Sequence, residues 1–503
     1  MGQCPRRCAL LDQCAVQMIS EMNMTPNRRE IMAGAGVLAL AAAMPAAARA
    51  AAAGSFASKR PAPGERAFTS PAIEAEISRV KAKIADPELA WLFENCYPNT
   101  LDTTVQTGTL DGRPDTFVIT GDIEAMWLRD SSAQVQPYIH LVAKDAKLKR
   151  LFQGLIQRQA RCILIDPYAN AFDKDPTAPS KLEWSQTDKT EMKPGVAERK
   201  WEIDSLCYAM RLSHEYWTRT KDKAPFDDTW SRAMKLAVAT FREQQRKDGP
   251  GPYKFQRPAL QPSDSLMLGG YGRPTKKIGL IHSMFRPSDD ACLYPFLIPS
   301  NLFAVSVLRK IAAVHREARG DNAAATDAET LAAEVEAALK AHALIDDGKG
   351  GQVWAYEIDG FGNYVFMDDA NVPSLSGLPL IDVVDKKDPL FRRTAELAWS
   401  ERNPYFFKGT AAEGIGGPHI GLDMIWPMSI ITRAMNADDD ATILQCLRWL
   451  KATHGGTGFM HESFHKDDPK NFTRSWFAWA NALFGQLIVE VADKRPALLA
   501  RPL

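Results

Sequence analysis

A pair of adjacent carboxylates offers the clearest acid–base chemistry in this sequence. Asp289 and Asp290 follow Arg286 at the end of a long segment rich in glycine and proline. Two carboxylates held side by side raise the pKa of one of them, which is what a general acid needs at neutral pH. The structural alternative is a cap, in which Ser288 or Asp289 begins a helix that continues from Ala291. A cap accounts for one carboxylate of the pair and leaves the other unexplained.

An aromatic and ionic stretch over residues 121–138 is typical of a carbohydrate site. Trp127 is followed closely by the adjacent pair Arg129 and Asp130. A sugar ring stacks its apolar face on an indole, and its hydroxyl groups bind carboxylate and guanidinium groups. The alternative interpretation is a buried Arg–Asp pair at a helix start, which the two following serines would cap near Ala133.

Two further stretches place an ionisable side chain beside aromatic ones. Asp204 shares a predicted helix face with Trp201 and Tyr208. An acid in this position either contacts a ligand or is buried with a hydrogen-bond partner. His419 follows a Gly-Gly-Pro run, which lets the backbone approach a ligand closely, and Trp426 comes soon after it. A single histidine at such a helix start is more often a structural hydrogen-bond partner.

The string H-E-x-x-H at residues 461–465 is the signature of zinc proteases. On a helix, His461 and His465 would share one face, and Glu462 would activate a zinc-bound water. Glycines precede the string and an Asp-Asp-Pro run follows it, so a stable helix is disfavoured here. The nearest downstream candidate for a third ligand, Glu490, belongs to a segment that is typical of a core helix. Zinc is therefore the alternative hypothesis for these residues.

The elements that must position these residues are mostly helices. Helical periodicity recurs beyond residue 70 and predicts an all-α fold. The predicted helices are 71–85, 88–96, 131–143, 146–163, 201–220, 227–246, 291–318, 324–343, 388–400, 419–436, 439–453 and 474–492. The exception is 352–368, which predicts a small β-hairpin around a turn at 360–363. Two long segments, 166–199 and 247–288, are expected to gather at one end of a helical barrel and frame a cleft.

Bulk composition excludes several classes of partner. The chain has 503 residues and a formal net charge of zero, so nothing in its charge favours nucleic acid or an anionic membrane surface. Hydrophobic residues make up 45% and charged residues 24%, which is typical of a globular protein. The length is consistent with one large helical barrel. Twelve tryptophans supply stacking area that suits a carbohydrate site.

The first 50 residues are typical of an export signal rather than of a folded domain. Arg28 and Arg29 precede an Ala/Gly/Leu-rich run, and residues 48–50 form an A-x-A cleavage pattern. This pattern resembles bacterial twin-arginine signals and predicts a transient interaction with the twin-arginine translocase and a periplasmic or secreted protein. A membrane anchor over 31–48 is the alternative, but the run is only weakly hydrophobic, so no span is expected in the mature chain. Residues 51–67 are predicted to be a linker.

Six motifs, taken in order, resemble glycoside hydrolase family 125, the metal-independent exo-α-1,6-mannosidases. They are GDIEAMWLRDSSAQ, EIDSLCYA, FRPSDDACLYPFLIPSN, YEIDGFGN, GIGGPH…IWPMS and FMHESFH. The resemblance implies that residues 68–503 form an (α/α)6 barrel catalytic domain with long active-site loops. It also implies an exo-acting, inverting enzyme that hydrolyses terminal non-reducing α-1,6-linked mannose from glycans with no metal and no cofactor.

The resemblance further implies roles for individual residues. The general acid falls within 286–291, where Asp289 is preferred to Asp290 because the Asp-Asp-Ala spacing matches that of other helical-barrel glycosidases. Glu462 is the general base, and inversion needs the two carboxyl groups about 6.5–9.5 Å apart to hold the attacking water. The residues expected to bind or shape the sugar site are Trp127, Arg129, Asp130, Asp204, Arg286, Asp290, His419 and Trp426.

Two other hypotheses stand beside the mannosidase. One is a zinc metallopeptidase built on residues 461–465, and metal content separates it from a metal-independent glycosidase. The other is a non-catalytic glycan-binding protein on the same scaffold. The presence of both candidate carboxylates, Asp289 and Glu462, argues against that third hypothesis.

Overall fold

Amphipathic helices build most of this structure, a computed structural model that describes residues 56–258 and 261–503. The predicted export signal at residues 1–50 lies outside the described residues. Residues Ala57–Leu503 form one compact unit. In the described part of the chain, no helix is long and apolar enough to cross a bilayer.

The described residues contain thirteen α-helices, and each of the twelve predicted helices overlaps one of them. In chain order they are α1 Pro71–Lys81, α2 Pro87–Cys96, α3 Asn99–Thr103, α4 Leu128–Val135, α5 Ala146–Ile165, α6 Ile203–Thr220, α7 Asp228–Glu243, α8 Ile298–Val314, α9 Asn322–His342, α10 Pro389–Ala398, α11 Pro427–Asn436, α12 Asp440–Ala452 and α13 Ala478–Lys494. Short 3-10 helices occur between them, including one at Leu378–Ile381.

Six helices close into an inner ring. Helix α4 packs on α6, α6 on α8, α8 on the 3-10 helix Leu378–Ile381, that 3-10 helix on α11, α11 on α13, and α13 back on α4. Helices α2, α5, α7, α9, α10 and α12 alternate with them along the chain and form the outer layer. The fold is therefore the expected (α/α)6 barrel, in which the fourth of the six inner members is a short 3-10 helix.

The outer helices begin with side-chain caps. An aspartate precedes each of the six, and its carboxylate accepts a hydrogen bond from a backbone N–H of the first turn. Such caps satisfy N–H groups that have no partner within the helix. The helical periodicity of the sequence predicts these six starts to within two residues.

The inner helices begin without any side-chain cap. Their N-cap residues include Trp127 before α4, Glu202 before α6, Leu297 before α8, Trp426 before α11 and Phe477 before α13. The predicted starts at 131, 291 and 419 are wrong, because α4, α8 and α11 begin at Leu128, Ile298 and Pro427. The serines predicted to cap α4 are buried inside it and accept hydrogen bonds from Gln159.

Short antiparallel strands lie at the beginnings of inner helices. The described residues contain β1 Val105–Leu110, β2 Arg113–Val118, β3 Met126–Trp127, β4 Ala171–Phe172, β5 Val196–Glu198, β6 Phe296–Leu297, β7 Leu344–Asp346, β8 Gln352–Trp354, β9 Glu357–Ile358, β10 Tyr364–Val365, β11 Phe406–Lys408, β12 Glu413–Ile415, β13 Met424–Ile425, β14 Ser463–His465 and β15 Asp468–Thr473. Strands β3, β6 and β13 run directly into α4, α8 and α11 or stop one residue short. Most have two or three residues, too few to show alternation in the sequence.

The predicted hairpin exists but is shorter than expected. Strand β9 pairs with β10 across the predicted turn, and β9 also pairs with β6 just before α8. The first part of the predicted hairpin, β8, pairs instead with β7. The hairpin thus joins the group of small sheets at the end of the barrel where inner helices begin.

Residues 57–67, which were predicted to be part of a linker, pack on the barrel. Arg60 is buried between Glu74 and Asp102, at 2.6 Å and 2.7 Å. The backbone N–H of Lys59 donates to Asn95 at 2.9 Å. A buried guanidinium with two carboxylate partners holds this segment in place, so the folded unit begins before residue 68.

Gly485 marks a close approach between the last inner helix and the first outer one. A Cβ at this position of α13 would lie 2.8 Å from the Cα of Tyr97, directly after α2. We predict that Gly485→Ala lowers the free energy of unfolding by about 1–2 kcal/mol, because overpacking exceeds the gain in helix propensity. Denaturant or thermal unfolding of the purified protein measures this change.

Gly108→Ala in β1 is the matched control, since a Cβ there would meet no heavy atom within 4 Å. The control is expected to unfold like the wild type. Equal unfolding midpoints for the Gly485→Ala and Gly108→Ala variants would contradict the close approach.

Candidate active site

A cavity of about 430 Å³ opens where the inner helices begin. Three of their N-cap residues, Trp127, Trp426 and Phe477, line it. The first turns of α4 and α13 add Arg129, Asp130 and Trp479. A cavity of this size is within the range of small-molecule sites. The uncapped ends of the inner helices therefore build the site directly.

The lining has a buried part and an exposed part. Trp127, Trp426 and Trp479 are only 2–4% exposed. The two long segments between helices contribute Trp184, which is 45% exposed, and the exposed Pro258. The expectation that these segments frame a cleft is therefore confirmed.

Arg129 is the centre of the ionic network at this site. Its Nη1 donates to Glu202 Oε2 at 2.6 Å and to Asp204 Oδ2 at 3.2 Å. Its Nη2 donates to Asp289 Oδ1 at 3.4 Å, and its Nε lies 3.4 Å from Asp130 Oδ2. One guanidinium thus faces four carboxyl groups, three of which are almost fully buried.

Four carboxyl groups around one guanidinium favour proton uptake by some of them. Burial raises the pKa of Glu202 well above its usual range, and the charge of Asp289 adds to this effect. Burial also raises the pKa of Asp204 to about 6, against the opposing effect of Arg129. Burial raises the pKa of Asp130 as well. We expect Glu202 to be the main holder of a proton in this cluster.

Asp289 occupies a tight turn rather than a helix cap. Its φ is +66°, in the left-handed region that few residues other than glycine adopt. The N–H of Asp289 donates to the carbonyl of Arg286 at 2.9 Å, and the N–H of Arg286 donates to the carbonyl of Asp290 at 2.7 Å. Lys200 Nζ donates to the carbonyl of Asp289 at 2.7 Å. Since α8 begins only at Ile298, the capping interpretation is wrong.

The surroundings of Asp289 favour its ionised form. Burial acts to raise its pKa, but the charge of Arg129 and a hydrogen bond with Glu202 hold the pKa well below its usual range. Lys200 acts in the same direction. Asn170 Nδ2 donates to the same carboxylate oxygen as Arg129, at 3.3 Å. A general acid must carry a proton before it acts. The neighbouring carboxyl group that favours holding a proton is Glu202.

Glu462 reaches the same cavity from a different part of the chain. Its side chain is 12% exposed, and its Oε1 lies 3.4 Å from Arg474 Nη1. Two residues before it, the N–H of Met460 donates to Asn481 at 2.8 Å. The N–H of Phe477 donates to the carbonyl of Met460 at 2.9 Å. These bonds fix the Glu462 loop to the start of α13.

The H-E-x-x-H string does not form a helix. His465 lies in β14, and its Nδ1 accepts the N–H of Asp467 at 3.2 Å. The ring of His461 stacks on Phe472 with a centroid distance of 3.8 Å. Among the described residues, no group of three or more His, Cys, Asp or Glu is arranged to hold a metal ion. The two imidazoles therefore do not share a helix face, as zinc proteases of this signature require.

His419 brings a positive charge to the cavity. Burial acts to lower its pKa, but a hydrogen bond with Asp290 and the charge of that carboxylate raise the pKa to about 9. Its Nδ1 lies 3.5 Å from Asp290 Oδ1. Asp289 and Glu462 also stabilise the imidazolium. His419 is therefore a cation at neutral pH that interacts with both candidate catalytic carboxyl groups.

Three of the residues predicted to contact sugar are buried and do not line the cavity. Asp204 binds Arg129, and Asp290 pairs with His419. Arg286 Nε donates to Glu357 at 2.6 Å. Each of these three residues therefore has a charged partner within the protein, although one carboxylate oxygen of Asp204 and one of Asp290 have no hydrogen-bond partner among the described residues. The predicted residues that do line the cavity are Trp127, Arg129, Asp130, Asp289, His419, Trp426 and Glu462.

Sequence reasoning missed several residues of the site. Lys200 and Glu202 lie two residues apart on the extended segment before α6 and both reach Asp289. In the sequence these two charged residues flank Trp201, and this alternation of charged and aromatic residues is a signal from which they could have been predicted. Arg474 and Trp479 carry no comparable local signal, since only the tertiary fold brings the start of α13 and the residues before it to the cavity.

Comparisons with known proteins agree with this architecture. A sequence profile of the metal-independent α-mannosidases, family GH125, matches residues 86–489. The Meiotically up-regulated gene 157 protein of Schizosaccharomyces pombe is 41% identical over 460 residues, which cover 88% of this chain and 90% of that protein. A solved Streptococcus pneumoniae metal-independent α-mannosidase, in a non-productive complex with α-1,6-mannobiose, is 38% identical with a TM-score of 0.81, covering 85% of this chain and 100% of that one. The chain therefore belongs to glycoside hydrolase family 125, the metal-independent α-mannosidases.

Proposed function

We propose that this chain is an exo-acting, inverting α-mannosidase that hydrolyses terminal non-reducing α-1,6-linked mannose from glycans. The observation that carries the proposal is that Asp289 and Glu462, from separate parts of the chain, line one cavity. Family membership supplies the α-mannosidase chemistry. The solved relative holds α-1,6-mannobiose, and we carry that linkage to this chain as part of the proposal.

The proposed mechanism assigns opposite roles to the two carboxyl groups. Asp289 gives a proton to the glycosidic oxygen as the bond to C1 breaks. Glu462 takes a proton from a water that attacks the opposite face of C1, so the product has inverted configuration. Arg129 and Asp130 bind sugar hydroxyl groups and fix the ring for attack. The His419 imidazolium adds a further charged donor at the cavity.

The distribution of burial supports action at chain ends. The aromatic side chains at the starts of α4, α11 and α13 are nearly fully buried, so they suit a single enclosed sugar. Trp184 is 45% exposed and offers an apolar face to the glycan that continues beyond the scissile bond. A terminal mannose therefore enters the buried part, and the remainder extends along the exposed loops.

The proposed function predicts which anomer of mannose is released first. We expect a proton NMR time course with α-1,6-mannobiose and EDTA to show β-mannose before mutarotation, because a single displacement inverts C1. Early α-mannose would contradict inversion and the role of Glu462. Hydrolysis that stops with EDTA and returns with zinc would favour the zinc hypothesis. Binding of mannobiose without hydrolysis would favour the glycan-binding hypothesis.

Substitution of the carboxyl groups tests their assignment. We predict that Asp289→Asn lowers kcat on α-1,6-mannobiose by about 10²–10⁴-fold, because general acid catalysis contributes this much. Glu462→Gln is expected to lower kcat by a similar factor, with binding retained. Steady-state kinetics and calorimetric titration with mannobiose measure the two effects.

Asp290→Asn is the matched control, since this adjacent carboxyl does not line the cavity. Its loss in kcat is expected to be at least about tenfold smaller than that of Asp289→Asn. The reverse order would assign the general acid to Asp290.

We also propose that the chain is exported by a twin-arginine translocase. Arg28 and Arg29, the apolar run after them and the A-x-A pattern support this proposal. In a bacterial host with this translocase, we expect the full chain to appear in the periplasmic fraction. Replacing both arginines by lysine keeps the charge and should retain the protein in the cytoplasm. Equal periplasmic amounts of both forms would contradict the proposal.

A further inference from the structure

The proposed general acid Asp289 needs a proton that its surroundings disfavour, and the neighbouring residue Glu202 is able to supply one. Asp289 must carry a proton to assist leaving-group departure, yet Arg129 and Lys200 both stabilise its carboxylate. A second carboxyl group is nevertheless close at hand, because Glu202 binds the same guanidinium as Asp289, at 2.6 Å from Arg129 Nη1 and 3.4 Å from Arg129 Nη2 respectively. Beyond the effect of burial, a hydrogen bond between the two carboxyl groups raises the pKa of Glu202 and lowers that of Asp289. Glu202 does not line the cavity and has no exposed surface.

The two carboxyl oxygens of Glu202 differ in their hydrogen-bond partners. Oε2 accepts hydrogen bonds from Arg129 Nη1 at 2.6 Å and from the Ser205 hydroxyl at 2.9 Å. Oε1 is buried and accepts no hydrogen bond from the described residues. An oxygen of this kind is where a protonated carboxyl keeps its hydrogen, which it donates to an adjacent carboxylate. Glu202 therefore has an anchored oxygen and a proton-bearing oxygen.

We propose that Glu202 is a positioning residue that stores the proton of the general acid and passes it to Asp289 along their hydrogen bond when substrate binds. This inference rests on the proposed function above. The carboxyl pair acts as one titrating unit with a shared proton, so neither residue alone sets the pH dependence. The stored proton lies out of reach of solvent until Asp289 uses it.

Each proton in the proposed sequence has a defined origin and destination. The proton of Glu202 moves to Asp289, and the proton of Asp289 moves to the glycosidic oxygen as the bond from that oxygen to C1 breaks. Water forms the new bond to C1 and gives its proton to Glu462. After product release, Glu462 loses this proton to solvent and the Glu202–Asp289 pair regains one. No oxidant, reductant or further reactant is needed.

The charges around the pair keep the proton on Glu202 until substrate binds. Before binding, Arg129, Lys200 and His419 stabilise the Asp289 carboxylate, whose side chain is 27% exposed. A bound glycan covers that surface and removes water, which disfavours the charged form of Asp289. When Glu202 becomes the carboxylate, it keeps its short bond to Arg129. The nearby Asp204 is also bound to Arg129 and opposes a second negative charge on the pair.

The decisive experiment compares two leaving groups in the Glu202→Gln enzyme. Glutamine keeps an N–H that can hydrogen-bond to Asp289 but cannot transfer a proton. We expect kcat on α-1,6-mannobiose at pH 7 to fall by about 10²–10⁴-fold, the usual contribution of general acid catalysis. Hydrolysis of 2,4-dinitrophenyl α-mannoside, whose leaving group needs no proton, should fall by less than about tenfold. The alkaline limb of kcat/KM on mannobiose should move to lower pH.

Glu357→Gln is the matched control, because Glu357 is another fully buried glutamate bound to an arginine at 2.6 Å. It is expected to change both substrates by the same factor and leave the alkaline limb in place. Equal losses on both substrates in Glu202→Gln, or an unchanged alkaline limb, would overturn the proposal. Lack of mannobiose hydrolysis by the wild-type enzyme would count against the proposed function instead.

A second variant covers the case in which Glu202→Gln does not fold. Glu202→Asp retains a transferable proton but shortens the side chain by one methylene, so its bond to Asp289 lengthens. We expect a selective loss on mannobiose, smaller than that of Asp289→Asn, with the dinitrophenyl substrate spared. A loss shared equally by both substrates would assign Glu202 a purely structural role.

Discussion

The guanidinium of Arg129 is the interaction on which the site depends. It joins the first turn of α4 to the start of α6, through Glu202 and Asp204, and to the turn that carries Asp289. Burying these charges is costly, and only mutual pairing offsets the loss of hydration. Removing Arg129 would leave several carboxyl groups buried without compensation. The same contacts therefore hold two inner helices together and set the protonation of the candidate acid.

The way the inner helices begin explains why the cavity is where it is. In the outer helices, the capping aspartate accepts hydrogen bonds from free N–H groups of the first turn. The inner helices instead begin after tryptophan, glutamate, leucine or phenylalanine residues that cannot or do not cap. Short strands lead into three of these helices, and side chains at the helix starts line the cavity. The inner helices that close the barrel therefore also form the cavity, through the residues at their starts.

The same contrast decides how much of the structure was predictable. The starts of the outer helices predicted from periodicity lie close to the observed ones, where Asp86, Asp145 and Asp439 cap the first turns. Starts of inner helices were misplaced by up to eight residues, as at Pro427, because no capping residue precedes them. Asp289 and Glu462 were recognised from local motifs, and both line the cavity. Arg474 and Trp479 were missed because only the tertiary fold brings them there.

The two candidate catalytic carboxyl groups differ mainly in what lies behind them. Glu462 is backed by the cation Arg474, which also pairs with Asp122. Asp289 is backed by the carboxyl group of Glu202 as well as by the cations Arg129 and Lys200, and burial raises the pKa of Glu202. The proposed division of roles therefore depends on the neighbours of each carboxyl group, which differ although both residues carry the same functional group.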